Sequence, residues 1–304
     1  MLKNFFFQQF CLGHLRDFFL TQFTSNIKIA NSLFLSSVMV KLFMKKVCLI
    51  IGAGAGIGGN CAKVFAKNGY HSYMTRRTDQ AGLDKIASEI SSENGEASGK
   101  ILNAVEENSL ENLVDHIQNN VGEIEVAIYN LGSQIGNKKL DNTTNKVFEL
   151  GWKVATFGLF RLAKALFPYM MKQNKGTLIV TSSTAAVRGN KGQHSHAASM
   201  AGRRMLCQTL NDEYSSQGIH IVHALIDGAV DAPDTLGKML GKENYDKLRK
   251  EKGLDKDGLI LPNKIAECYY YLSQQHRSTW TNEIDLRSFS DQPWWNTPGE
   301  QYNF

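Results

Sequence analysis

The sequence is poor in cysteine: Cys11, Cys48, Cys61, Cys207 and Cys268 are odd in number, widely scattered and include no CxxC pair. That pattern argues against a disulfide scaffold or a zinc-ligand set, and it fits a reducing compartment, cytosol or mitochondrial matrix. No apolar stretch continues for about 18 residues, so no membrane-spanning helix is expected. Acids are almost missing from the first 46 positions, where Asp17 stands alone against Lys3, Arg16, Lys28, Lys41, Lys45 and Lys46. This stretch therefore holds the whole formal charge of +5, while the other 28 basic and 28 acidic side chains cancel. A neutral body offers no basic face for nucleic acid.

What is present divides the chain. Residues 1–45 form an N-terminal extension rich in Phe, including Phe5, Phe6, Phe7, Phe10, Phe18, Phe19 and Phe23. Basic, hydroxylated and acid-poor, it suits a mitochondrial presequence, with a docking arm as the alternative. The expected location is mitochondrial, otherwise cytoplasmic. From Lys46 onward, short apolar runs alternate with longer amphipathic stretches. Strands are expected at Val47–Ile51, His71–Thr75, Glu125–Tyr129, Thr177–Val180 and Ile219–Ile226. Helices are expected at Asn60–Lys67, Leu83–Ile90, Ser109–Asn119, Asn145–Met171 and Ala197–Tyr214. Such alternation specifies an α/β fold, a Rossmann-type doubly wound parallel sheet in three α/β/α layers. No linker or repeat interrupts residues 46–290, which read as one domain, followed by an aromatic tail over 291–304. Trp294 and Trp295 in that tail are expected to pack on their own domain or on a partner.

Between the first strand and the first helix lies Ile51-Gly52-Ala53-Gly54-Ala55-Gly56-Ile57-Gly58. Glycines there let the backbone turn sharply and approach a pyrophosphate, while the helix start offers unpaired N–H groups. The second strand ends in Arg76 and Arg77, with no acid to hold a ribose 2′-hydroxyl. Two guanidiniums suit a 2′-phosphate, so NADP(H) is expected over NAD(H).

Gly52, Gly56 and Gly58 have the spacing of the TGxxxGxG motif, and here the chain resembles the short-chain dehydrogenases/reductases. Ile51 replaces the motif's threonine. Further landmarks follow in family order: Tyr129-Asn130-Leu131-Gly132 is similar to NNAG, Ser182-Ser183 closes the fifth strand, and Asp227-Gly228 stands at the PG segment. The resemblance spans about residues 46–290. It implies that Gly52, Gly54, Gly56, Ile57 and Gly58 hold the pyrophosphate and that Arg76 and Arg77 hold the 2′-phosphate. It also places Asn103 at the adenine, Asn130 and Gly132 beside the cofactor ribose, and the Val230 backbone at the carboxamide. Ala232 stands in place of a threonine. The helices around 157–171 and 201–214 match the family's dimer-forming pair, so a homo-oligomer or a place in a larger complex is implied.

The same resemblance locates the catalytic positions. Ser183 holds the serine position. Thirteen residues on, His196 replaces tyrosine; four further, Met200 replaces lysine; and Ala155 replaces the asparagine. Methionine carries no charge, so the usual electrostatic support is absent. Imidazole titrates near working pH unaided, at about 6.5, so His196 is the expected proton-transfer group beside Ser183. His194 and His196, in a polar cluster with Gln193 and Ser195, are too few for a metal site, and none is expected. Two readings remain open: an NAD(P)(H)-binding oxidoreductase with a degenerate site, or a pseudoenzyme serving as a structural or nucleotide-sensing subunit.

Overall fold

The computed structural model of the chain describes residues 45–132, 138–253 and 256–296. The first 44 residues, on which the presequence-or-arm expectation falls, lie outside the described residues.

The elements follow in the order β1 (Lys45–Ile51), α1 (Ile57–Lys67), β2 (His71–Arg76), α2 (Gln80–Ser92), β3 (Glu96–Ile101), α3 (Ser109–Asn120) and β4 (Gly122–Tyr129). Then come α4 (Asn145–Trp152), α5 (Gly158–Gln173), β5 (Gly176–Ser183), α6 (His194–Tyr214), β6 (Ile219–Ile226), α7 (Lys242–Lys252), α8 (Pro262–Ser273) and β7 (Glu283–Leu286). All seven strands run parallel in the order β3-β2-β1-β4-β5-β6-β7. The protein is a Rossmann-type α/β/α sandwich. Leu110, Leu113 and Ile117 of α3, Leu159 and Leu166 of α5 and Cys207 of α6 cover one face of the sheet. Ala62 and Phe65 of α1, Leu83 and Ile86 of α2 and Tyr269 of α8 cover the other. The inner strands β1, β4, β5 and β6 carry apolar runs because both of their faces are buried.

Two departures from the expected elements have physical causes. The edge strands β3 and β7 carry no apolar run, since each has neighbours on one side only. The stretch expected as one helix over Asn145–Met171 is broken by a π-helical turn at Lys153–Phe157. A π-turn shifts carbonyls out of the regular ladder, and here side chains take them up. The Tyr129 hydroxyl donates to the Val154 carbonyl, and Arg203 Nε donates to that of Ala155 at 3.1 Å.

Arg203 is the largest fully buried side chain, 1% exposed. Its other nitrogens donate to the Thr181 carbonyl at 2.5 Å and the Leu131 carbonyl at 2.7 Å, and its guanidinium lies 5.3 Å from the Tyr129 ring centre. One cation thus ties the chain following β4, the end of β5 and the π-turn.

The described part of the tail, through residue 296, packs on its own domain. Arg188 donates to the Trp294 carbonyl, the Trp294 N–H donates to Asp227, and Arg287 lies over the Trp295 ring while pairing with Asp227. Asp227, at the position where the resemblance expects proline, is the tail's anchor.

Arg203→Met fills similar space but removes the buried cation and its hydrogen bonds to three carbonyls, so unfolding in urea should show a loss of about 3 kcal/mol or more. A loss under about 1 kcal/mol would mean that the carbonyls are satisfied without it.

Candidate functional site

With all strands parallel, their C-terminal ends share one edge, and the strand order reverses between β1 and β4. Ligands of such sheets bind at that reversal, where the two following loops diverge. Gly52 to Gly56 leave β1 here, and Asn130 and Leu131 leave β4.

The glycine loop is shaped by close backbone contacts. Gly52 has φ +99°, which a side chain rarely tolerates. A Cβ at Gly58 would fall 2.3 Å from the Gly52 carbonyl oxygen, so α1 begins against the loop itself. Asn130 locks the arrangement: its side chain donates to the Gly52 carbonyl at 2.9 Å and its N–H to that of Ile51 at 2.9 Å. Ile57 opens α1 and packs on the apolar cluster beneath. A Cβ at Gly54 would meet a carboxylate oxygen of Asp234, 3.6 Å away.

That carboxylate is an anion seated in the cradle. Asp234 Oδ2 accepts the Ala55 N–H at 3.1 Å and pairs with Arg76 Nη2 at 2.7 Å, while Oδ1 lies 3.5 Å from Lys238 Nζ. Partial burial pushes its pKa up, but the Ala55 N–H, Arg76 and Lys238 outweigh this and hold it below the ordinary aspartate value. The donors that Asp234 now neutralises, an N–H of a glycine loop beside a guanidinium, are what a phosphate-binding site requires. The residues present therefore fit a dinucleotide.

The expected cofactor contacts are not all poised alike. Arg76 is already shared between Asp234 and Asp79, 2.8 Å away, whereas Arg77 is exposed. The Asn103 side chain turns to Glu106 at 3.0 Å. Among the described residues nothing lies within 4 Å of a Cβ position on Gly132, and residues 133–137 beside it lie outside the described residues. Val230 sits in an isolated parallel bridge with Ile260, which keeps the segment after β6 close to the domain.

The thirteen-residue spacing does bring its pair together. Ser183 Oγ and His196 Nε2 are 3.1 Å apart, with the proton placed according to the tautomer. The unaided imidazole value does not hold, however. Burial, and secondarily the charge of Arg203, push His196 down to about 4. The ring is therefore uncharged at neutral pH. Of the adjoining polar residues, Ser195 turns away from the cleft, buried against the Phe148 carbonyl at 3.2 Å. Met200 and Ala155, at the lysine and asparagine positions, lie in one buried cluster with Ala185 and Ala186. Among the described residues no group of three metal-ligating side chains occurs.

Sequence reasoning missed Arg203 and Asp234. Arg203 gave a weak signal, an arginine one turn beyond Met200 in the helix that follows Ser183. Asp234 gave none, because its partners Ala55 and Arg76 are distant in sequence.

A glycine-lined anion cradle at the reversal point of a parallel sheet defines a dinucleotide-binding α/β protein. The chain belongs to the short chain dehydrogenase family, whose model matches residues 46–239. It is 26% identical over 246 residues to the 3-oxoacyl-(acyl-carrier-protein) reductase FabG of Thermotoga maritima, covering 79% of this chain and 94% of that one. The reductase of the same name from Escherichia coli is 30% identical over 182 residues, 59% of this chain and 71% of the relative. Among solved structures, an alcohol dehydrogenase from Thermococcus sibiricus complexed with 5-hydroxy-NADP superposes with a TM-score of 0.69 at 25% identity, covering 82% and 98% of the two chains. A short-chain dehydrogenase from Rhodopseudomonas palustris gives a TM-score of 0.66 at 26% identity, covering 80% and 98%.

The rings of partly buried His196 and buried His223 contribute to an acid limit, and burial lowers the pKa of His220 as well. His223, on β6, is also pushed down to about 4, chiefly by burial. Both folded values lie below the ordinary 6.5, so the unfolded chain takes up protons first and the folded state loses stability as pH falls from 6.5 toward 4. The Tm should fall across that window at constant ionic strength, and His196→Gln with His223→Gln should flatten the fall. A wild-type Tm that is level there would contradict burial of the neutral rings.

Proposed function

We propose that the chain binds NADP(H) and interconverts an alcohol and a carbonyl compound slowly, through Ser183 and His196 in place of the family's usual residues. The observation that carries this reading is the 3.1 Å contact between Ser183 Oγ and His196 Nε2 at the strand edge that also carries the glycine loop. Binding falls to the loop over Gly52–Gly58, with Asn130 bracing it from below. Arg77, and Arg76 once released by Asp234, receive the 2′-phosphate, and the Val230 backbone meets the carboxamide. The Thermococcus sibiricus structure named above, complexed with 5-hydroxy-NADP, supports the choice of a phosphorylated cofactor. When bound, the nicotinamide accepts or gives the hydride.

The protein's own groups handle the proton. Ser183 holds the substrate oxygen, and neutral His196 takes the hydroxyl proton as an alcohol is oxidised. Reduction needs the imidazolium, which burial disfavours, so it gains as pH falls. General acid–base assistance contributes about 10²–10⁴-fold, and a base this weak captures only part of it. Assembly through the outer faces of α4 and α5 belongs to the same proposal. Exposed Trp152, Phe157 and Phe160 stack there at 5.2 and 6.3 Å.

A second reading, a non-catalytic nucleotide-binding subunit, is favoured by one observation: Met200 and Ala155 form part of an apolar cluster where a charge and an amide are expected. Fluorescence titration with NADPH followed by a carbonyl and alcohol panel separates the two. Slow turnover, reduced about tenfold or more by His196→Ala with NADPH affinity unchanged, is the expected result. Tight binding with no turnover on the panel would leave the binding subunit.

A further inference from the structure

We propose that Asp234 is a resident anion of the cofactor cradle, and that it sets how strongly the chain selects nucleotides by the charge at their 2′ position. The inference rests on the cofactor reading above and adds a competitor from within the chain.

One carboxylate holds together three parts of the site. Through Oδ2 it reaches the Ala55 N–H on the glycine loop and the Arg76 guanidinium at the end of β2. Its own segment, Pro233–Gly237 and the turn after it, lies across the loop: a Cβ at Gly56 would come within 2.9 Å of Ala232 Cβ. The Asp234 carboxylate is also the nearest atom to a methyl position on Gly54. The groups a phosphate needs are thus assembled, and a side-chain anion already neutralises them.

A 2′-phosphate approaching Arg76 meets that negative charge at close range. Asp79 already takes Nη1, so the phosphate and Asp234 compete for the Nη2 side of the guanidinium, where two like charges within a few ångströms repel. Asp234 must therefore leave for the phosphate to seat. Lys238 makes that exit feasible. It sits four residues on in the same segment, 3.5 Å from Oδ1, so the displaced carboxylate keeps a partner. Asp79, on the other side of Arg76 at 2.8 Å, stays behind as the N-cap of α2. Arg76 then exchanges Asp234 for phosphate without losing its orientation. A nucleotide lacking the 2′-phosphate makes no claim on Arg76 and leaves that half of the contact intact.

The test compares wild type with Asp234→Asn and Asp234→Ala, titrated with NADPH and NADH by fluorescence and with 2′,5′-ADP by calorimetry. Thermal unfolding of each protein reports whether it is folded. Asparagine keeps the shape and removes the charge, and alanine removes both. NADPH and 2′,5′-ADP should bind about tenfold tighter or more to both variants, with NADH changing severalfold less. Unchanged or weaker NADPH binding in both folded variants would overturn the inference while leaving the cofactor reading in place. An equal gain for NADH would overturn the 2′-selectivity. Failure of every nucleotide to bind wild type and variants alike would instead remove the cofactor reading, and this inference with it.

Discussion

The site depends on how closely α1 approaches the loop that feeds it. A methyl group at Gly58 would lie 2.3 Å from the Gly52 carbonyl, so the helix can start at the mouth of β1 only because no side chain intervenes. That contact sets the start of α1 against the end of β1. Asn130, bonded to both Ile51 and Gly52, carries the constraint from β1 to β4. Arg203 carries it onward to β5 and the π-turn. The parallel order of the sheet delivers these ends to one edge.

What could be read in advance follows from burial. β1, β4, β5 and β6 announce themselves because both faces of each are covered, leaving compact apolar runs such as Val47–Ile51. β3, with Glu96, Ser98 and Gly99, and β7, with Glu283 and Asp285, sit at the edges and share their composition with loops. The π-turn at Lys153–Phe157 leaves no mark on helical periodicity, since apolar residues continue through it. The loop glycines were legible as a local pattern, and the Ser183–His196 spacing through the resemblance to the family. Asp234 meeting Ala55 and Arg76 is a tertiary event between segments far apart, and no local pattern encodes it.

Around Ser183 and His196 one physics is substituted for another. The resemblance to the family places a lysine and an asparagine at positions 200 and 155. Methionine and alanine there close on Ala185 and Ala186 and exclude water from the space. Positive charge persists nearby, on Arg203 three residues beyond Met200, but it is held by backbone carbonyls. That cation reaches His196 through its field and, added to burial, keeps the imidazole neutral. A neutral imidazole beside a serine hydroxyl suits proton acceptance better than donation.

A phosphate cradle over Gly52–Gly58 must register a bound nucleotide in its own amides. Amide NMR shifts of the isotope-labelled protein, followed during addition of NADPH, test it most directly. Saturable shifts concentrated at Gly54, Ala55 and Gly58 are expected, with the side-chain signal of Arg76 moving at the same concentration. Saturable binding that leaves those amides still, with shifts clustered elsewhere, would contradict it.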